Sequence, residues 1–195
     1  MARTKGDHEA RRRDVSEAVW RVLSAHGFGG LTMRAVAAEL GATTGLLTHY
    51  FATKRDLVAY ALDLLDRRTA EGRRPYEGEG LAALRAALRD ALPLTAEATT
   101  SNRIWVSSWD TALADPALGA DHAARYATGR DRLTTLVAAA QLHGDLPPGD
   151  PADIATAAQS FTLGLTIQAL LAPTAFPPSR QTRLLDDYVA SLTTG

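Results

Sequence analysis

Apolar residues recur at three- and four-residue spacing along almost all of this 195-residue chain, and nowhere do they alternate long enough to build a strand. That periodicity restricts the chain to helices packed on helices. Composition agrees, because alanine and leucine are abundant while aromatic residues make up only 6%. Val15, Ala18, Val19, Val22 and Leu23 predict a first helix from about Asp7 to His26, ended by Gly27, Gly29 and Gly30. Val36, Ala37 and Leu40 mark a short second helix opened by Thr32 as N-cap and broken by Gly41. Thr43 is expected to cap a short third helix through Tyr50. Thr53-Lys54-Arg55-Asp56 reads as a capping box, so a fourth helix begins there and runs to about Arg73. Pro75 to Gly80 is rich in turn formers, and a domain boundary is expected there. Further helices are expected over about 80–92, 99–114, 119–143, 151–171 and 179–193, about nine in all.

Charge divides the chain in the same place. Residues 1–74 hold 13 basic and 9 acidic side chains, and residues 75–195 hold 8 and 13, so a net +4 is joined to a net −5. A basic first third suggests that a polyanion is met at one end only; an uneven surface without function is the other reading. Arg3, Lys5, Arg11, Arg12 and Arg13 make either an arm on a polyanion or a solubilising tail. The chain has no cysteine, which excludes disulfides and thiolate metal sites and favours the cytoplasm. No apolar run follows the basic start, so no secretory signal is read there. The most apolar stretch, Phe161 to Phe176, is interrupted by Thr162, Thr166, Gln168 and Pro173 and is expected to be too short and polar to cross a membrane. The five histidines are scattered without metal-ligand spacing, and no cofactor is expected. A helical enzyme is the rival class, but no nucleophile elbow, phosphate loop or His-Glu metal helix is present.

The segment Leu31 to Phe51 describes two short helices meeting at a steep angle. Ala37 is small where the helices cross, Gly41 tolerates the turn, and Val36, Leu40 and Leu47 fill the space between them. Thr44, Gly45, Thr48 and His49 then form a small, polar outer face of the kind that fits the major groove. Of Tyr50 and Phe51, Phe51 is expected in the core. From about Val15 to Leu57, and most specifically over Gly41 to Leu57, this stretch resembles the TetR family of bacterial regulators.

The resemblance implies an all-α homodimer with an N-terminal three-helix DNA-binding domain (1–55), a linking fourth helix (54–74) and a ligand-binding and dimerisation bundle (75–195). It implies that Thr44, Gly45 and Thr48 face the bases and that Leu46 touches a thymine methyl. Thr32 and Arg34 should reach phosphates, and Thr43, His49 and Tyr50 should hold the DNA backbone. Lys54 should bind a phosphate together with the positive end of the fourth helix. The family usually carries a tyrosine where this chain has Thr48, which alters the preferred sequence rather than the binding mode. The partners so implied are a palindromic double-stranded operator, a small-molecule effector and a second copy of the chain, with no membrane. Repression relieved by ligand is the implied mode; a DNA-binding architectural protein without ligand is the alternative.

In the second half, Trp105 and Trp109 are expected to share a face of the sixth helix at i, i+4. With Phe161, Leu165 and Tyr126 they are candidates for an apolar pocket, directed by Asn102, Arg103, His122 or Gln168; simple core packing is the alternative for each. The helix near 152–171 carries Ile154, Ala158, Phe161 and Leu165 on one stripe and Leu163, Ile167 and Leu170 on another. Burial on both sides requires a second surface, and Leu184, Leu185, Tyr188, Val189 and Leu192 on the last helix complete the candidate dimer interface.

Overall fold

The computed structural model describes residues 5–71 and 78–194. All regular structure among them is helical: α1 (Lys5–His26), α2 (Met33–Glu39), α3 (Thr44–Leu47), α4 (Lys54–Glu71), α5 (Gly80–Asp90), α6 (Ala96–Ser107), α7 (Trp109–Ala114), α8 (Pro116–Leu142), α9 (Pro151–Leu171) and α10 (Pro178–Ser191). The tenth segment arises because the helix expected over 99–114 is interrupted. The Ser108 hydroxyl donates to the Trp105 carbonyl at 2.6 Å, and the Ser108 backbone N–H bonds the same oxygen at 3.1 Å. A serine side chain competing for a helix carbonyl loosens the regular ladder at that point. Trp105 and Trp109 therefore belong to different helices, and the i, i+4 argument for a shared face no longer applies.

Two compact units form. The first contains residues 5–71 together with 103–114. Its core is built from the stripe that the spacing indicated on α1, with Val15, Ala18, Val19, Val22 and Leu23 all buried. Leu31, Val36, Leu47, Phe51, Leu57, Leu62 and Ile104 complete it. At the end of α1, the Phe28 N–H donates to the Ser107 hydroxyl at 3.0 Å, which ties the distant segment 103–114 to the helix. By packing, this segment groups with the N-terminal residues rather than with the bundle where the sequence placed it.

The second unit contains residues 78–102 and 115–194. Leu84, Leu88, Leu92, Val137, Ala140, Ala158, Leu165, Leu185 and Val189 form its core, contributed by α5, α8, α9 and α10. Asp115 and Asp150 cap α8 and α9 through side-chain bonds to the following N–H groups, each just ahead of a proline at the first helical position. The start of α5 is held from a distance. The Leu81 N–H donates to the Asp145 carboxylate at 2.9 Å, and Gly80 adopts φ +55°, where a side chain would be strained and its Cβ would displace that carboxylate. Arg85 on α5 grips Asp186 on α10 through two bonds of 2.6 and 2.8 Å. These bonds hold the Asp186 carboxyl below its ordinary pKa. Among the described residues α9 alone is long and apolar enough to cross a membrane by length and composition, with a mean hydropathy of 1.3 over an 18-residue window, and the expectation for the stretch 161–176 is not tested by that. In the fold, Ala155, Ala158, Thr162, Leu165, Thr166 and Ala169 are buried within the second unit.

Candidate nucleic-acid interface

Backbone chemistry fixes the two short helices of the first unit. The Ala35 N–H donates to the Thr32 hydroxyl at 3.0 Å, so Thr32 caps α2 as the sequence indicated. At the other end Gly41 adopts φ +62°. Its N–H bonds Ala38 O at 3.1 Å, and the Ala42 N–H bonds Ala37 O at 2.9 Å. This paired 5→2 and 6→1 closure is the left-handed helix stop that glycine accommodates without strain. Thr43 adopts the extended backbone of an N-cap, but its side chain makes no cap hydrogen bond. The expectation that it caps α3 is therefore corrected: α3 is a single turn held by its packing, and the Thr43 hydroxyl is left exposed.

The inner sides of the two helices are closed. Val36 and Leu47 are fully buried, Ala37 is buried, and Leu40 is half-buried. Phe51 is also buried, tilted against Tyr60 with ring centroids 5.1 Å apart, so the aromatic pair splits as expected and Tyr50 stays half-exposed. The outer side carries the sequence candidates together. Thr43, Thr44, Gly45, Thr48 and His49 are exposed and Leu46 is half-buried. The Thr48 hydroxyl donates to the Gly45 carbonyl at 2.8 Å, which fixes its rotamer. Lys54 opens α4 behind a reciprocal capping box: the Thr53 N–H donates to Asp56 at 2.9 Å, and the Asp56 N–H to the Thr53 hydroxyl at 3.1 Å. Thr32, Arg34 and Lys54 are exposed, and neither cation has an ion pair among the described residues.

Contacts that sequence reasoning missed hold this surface in place. Arg21 on α1 pairs with Glu39 on α2. Ser16 on α1 is hydrogen-bonded to Tyr60 on α4, and Glu17 pairs with Arg68, whose guanidinium also lies 4.5 Å from the Trp20 ring centroid. Only the mixed polarity of the outer side of α1 hints at them, because each partner lies 18 or more residues away.

The candidates in the second half divide between the two units. Arg103, Trp105 and Trp109 fall in the first unit, where the Trp109 indole nitrogen is buried without a hydrogen-bond partner among the described residues. Asn102 donates to its own helix at Ala98 O, 2.9 Å away. His122 is buried, with Nδ1 3.2 Å from Leu118 O, and the Tyr126 carbonyl accepts from Gln159. Leu165 is enclosed in the core of the second unit. Phe161 stacks on Tyr188 at 4.2 Å and 7°, and Gln168 is exposed. Of the candidate dimer residues, Leu163, Ile167, Leu170, Leu184, Tyr188 and Leu192 are half-buried. Leu185 and Val189 are a correction. They are 0% and 4% exposed inside their own unit, so neither offers surface to a second chain.

Residues 16–61 match the N-terminal region of the tetR family of bacterial regulatory proteins, and residues 81–194 match the C-terminal region of BetI-type transcriptional repressors. The chain belongs to the TetR family. Among the family's regulators, BetI of Burkholderia thailandensis is 25% identical over 188 residues, covering 94% of each chain. PksA of Bacillus subtilis is 40% identical over 65 residues, a third of this chain and 32% of PksA. A transcriptional regulator from Rhodococcus sp. Rha1 is 25% identical with a TM-score of 0.78, covering 94% of this chain and 96% of that one. A regulator from Saccharomonospora viridis, solved in complex with choline, shares the fold at 19% identity and a TM-score of 0.82, covering 93% and 96%. The chain is thus a TetR-family transcriptional regulator with a helix-turn-helix formed by α2 and α3.

Proposed function

We propose that this regulator acts as a homodimer on a near-palindromic operator and releases it when a small molecule binds. The supporting observation is the division of α2 and α3, with Val36, Ala37 and Leu47 sealed inward while Thr44, Gly45, Thr48 and His49 stand outward. Such a surface approaches base edges without bulk. Thr44, Gly45, Leu46 and Thr48 read bases, while Thr32, Arg34, Thr43, His49, Tyr50 and Lys54 hold the sugar–phosphate backbone. Two copies place their reading helices one DNA turn apart, roughly 34–36 Å. The half-buried apolar residues Leu163, Ile167, Leu170, Leu184, Tyr188 and Leu192 supply the surface between copies. Leu171, 81% exposed at the end of α9, supports that reading.

The effector is proposed to bind within the second unit, where Asn102, His122, Tyr126, Phe161 and Gln168 are the remaining candidates and the Phe161 ring, stacked on Tyr188, supports an aromatic contact. The choline complex of the Saccharomonospora viridis relative makes a quaternary ammonium the first compound to try. Aromatic rings attract such cations by about 0.5–2 kcal/mol each. The protein works in the cytoplasm and performs no catalysis. A gel shift across genomic fragments tests the DNA reading, which fails if no fragment binds better than random duplex at physiological salt. Addition of choline to the selected complex tests the effector. Release with a rise in melting temperature supports it, and an unchanged shift and melt reject choline.

A further inference from the structure

We propose that Arg11, Arg12 and Arg13 form a second phosphate-binding element of the DNA-facing end, reaching past the start of α4. The inference rests on the DNA-binding reading above and extends it to residues outside the helix-turn-helix.

Each arginine sits one helical turn ahead of a residue that engages the rest of the first unit. Arg11 precedes the buried Val15 by four residues. Arg12 precedes Ser16, which touches Tyr60, and Arg13 precedes Glu17, which pairs with Arg68. Side chains four apart share a helical face. A helix packed along its whole length would carry an apolar group at the Arg11 position, one turn before the buried Val15. Instead all three arginines are exposed, so the packed face ends at Val15 and the first turns of α1 overhang the core.

The contacts between α1 and α4 fix where that overhang lies. Ser16 meets Tyr60, and farther along both helices Glu17 and Trp20 meet Arg68, so the two helices advance in the same sense. Arg12 lies about 6 Å before Ser16 along α1, and Lys54 about 9 Å before Tyr60 along α4. The arginines and Lys54 therefore stand at roughly the same level, at the end of α1 opposite to Phe28 and Ser107.

Charge pairing separates these cations from the others on α1 and α4. Arg21, Arg67 and Arg68 are matched with Glu39, Asp63 and Glu17. Arg11, Arg12 and Arg13 have no ion pair among the described residues, although Glu9 and Asp14 are exposed on the same stretch. Guanidinium groups with no ion pair among the described residues, at about the level of a Lys54 ammonium that has none among them either, are suited to the oxygens of successive phosphates. Arg3 and Lys5, the remaining cations of the candidate arm, lie outside the residues whose side chains are described.

The test compares full-length wild type with a triple glutamine variant, Arg11→Gln, Arg12→Gln and Arg13→Gln, which removes charge but keeps helix propensity. Anisotropy is read on two labelled duplexes, the fragment selected by wild type and a scrambled sequence, across a salt series. The slope of log affinity against log salt should fall by about 2–3, by similar amounts on both duplexes, because phosphate contacts carry no sequence information. A triple lysine variant should restore the slope. A glutamine variant with the wild-type slope overturns the inference while leaving DNA binding by α3 intact. A lysine variant that fails to restore it, with an unchanged circular-dichroism melt, also overturns it. Wild type that binds neither duplex sinks the underlying DNA-binding reading instead.

Discussion

Gly41 carries the turn between α2 and α3 at φ +62°, with open space around the position a Cβ would occupy. The cost of any side chain there is thus conformational rather than steric. Gly41→Ala should destabilise the protein by about 1–2 kcal/mol, read from denaturant unfolding. DNA affinity should fall as well, because the turn sets the angle of α3. Lys54 presents the opposite case, an exposed residue whose charge has no ion pair among the described residues. Lys54→Ala should leave the melting temperature within a degree or two and lower the salt slope of DNA binding by about 1. An unchanged slope removes Lys54 from the phosphate contacts. Thr48 was legible as an outward residue from sequence, but the bond from its hydroxyl to Gly45 O was not, since that bond depends on the backbone path of a one-turn helix.

Helices of this protein are held at their ends as much as along their faces. The capping box at Thr53 and Asp56 was readable from four letters, because its geometry is local. Thr53→Ala should cost about 1 kcal/mol of stability, measured by thermal or urea unfolding. It should also loosen the α3–α4 junction that presents Lys54. The cap on α5 was not readable, since Asp145 comes from 64 residues away. The same holds for the clamp between α5 and α10. Hydrogen bonds from Arg85 lower the Asp186 pKa first, and charge attraction adds to them. A carboxyl with a depressed folded pKa stabilises the fold above its unfolded value of about 4 and loses that contribution as pH falls through the folded value. Asp186→Asn should therefore be less stable than wild type at neutral pH, by about 1 kcal/mol or less given the half-exposed pair, and the gap should close in acid. Melts across pH check the sign. The interruption at Ser108 marks the limit of periodicity: apolar spacing continues through it, while the Ser108 hydroxyl and backbone N–H both turn to the Trp105 carbonyl.

At the scale of the whole molecule, the decisive prediction concerns the surface of α9 and α10. Leu163→Glu with Ile167→Glu should convert a dimer to a monomer in sedimentation, because buried like charges facing each other across a two-fold axis are strongly unfavourable. Affinity for a palindromic duplex should then fall to that of a single half-site. A variant that remains dimeric would move the interface elsewhere. Leu185 and Val189 serve as the contrast. Glutamates there should unfold the second unit, since both are already enclosed by Leu84, Leu88 and their neighbours.

The order of the amino acids alone determined the helical class, the cap at Thr32, the stop at Gly41 and the outward polar set from Thr43 to His49. Each follows from bonds and spacing within a few residues, where the backbone leaves little choice. The same string placed Leu185 and Val189 on a surface they do not form and joined Trp105 to Trp109 on one helix, and it did not show that residues 103–114 pack with α1. Those questions concern which apolar stripe meets which across tens of residues. Periodicity gives a stripe its direction on the helix but not its partner, and only the packing of the folded chain chooses that.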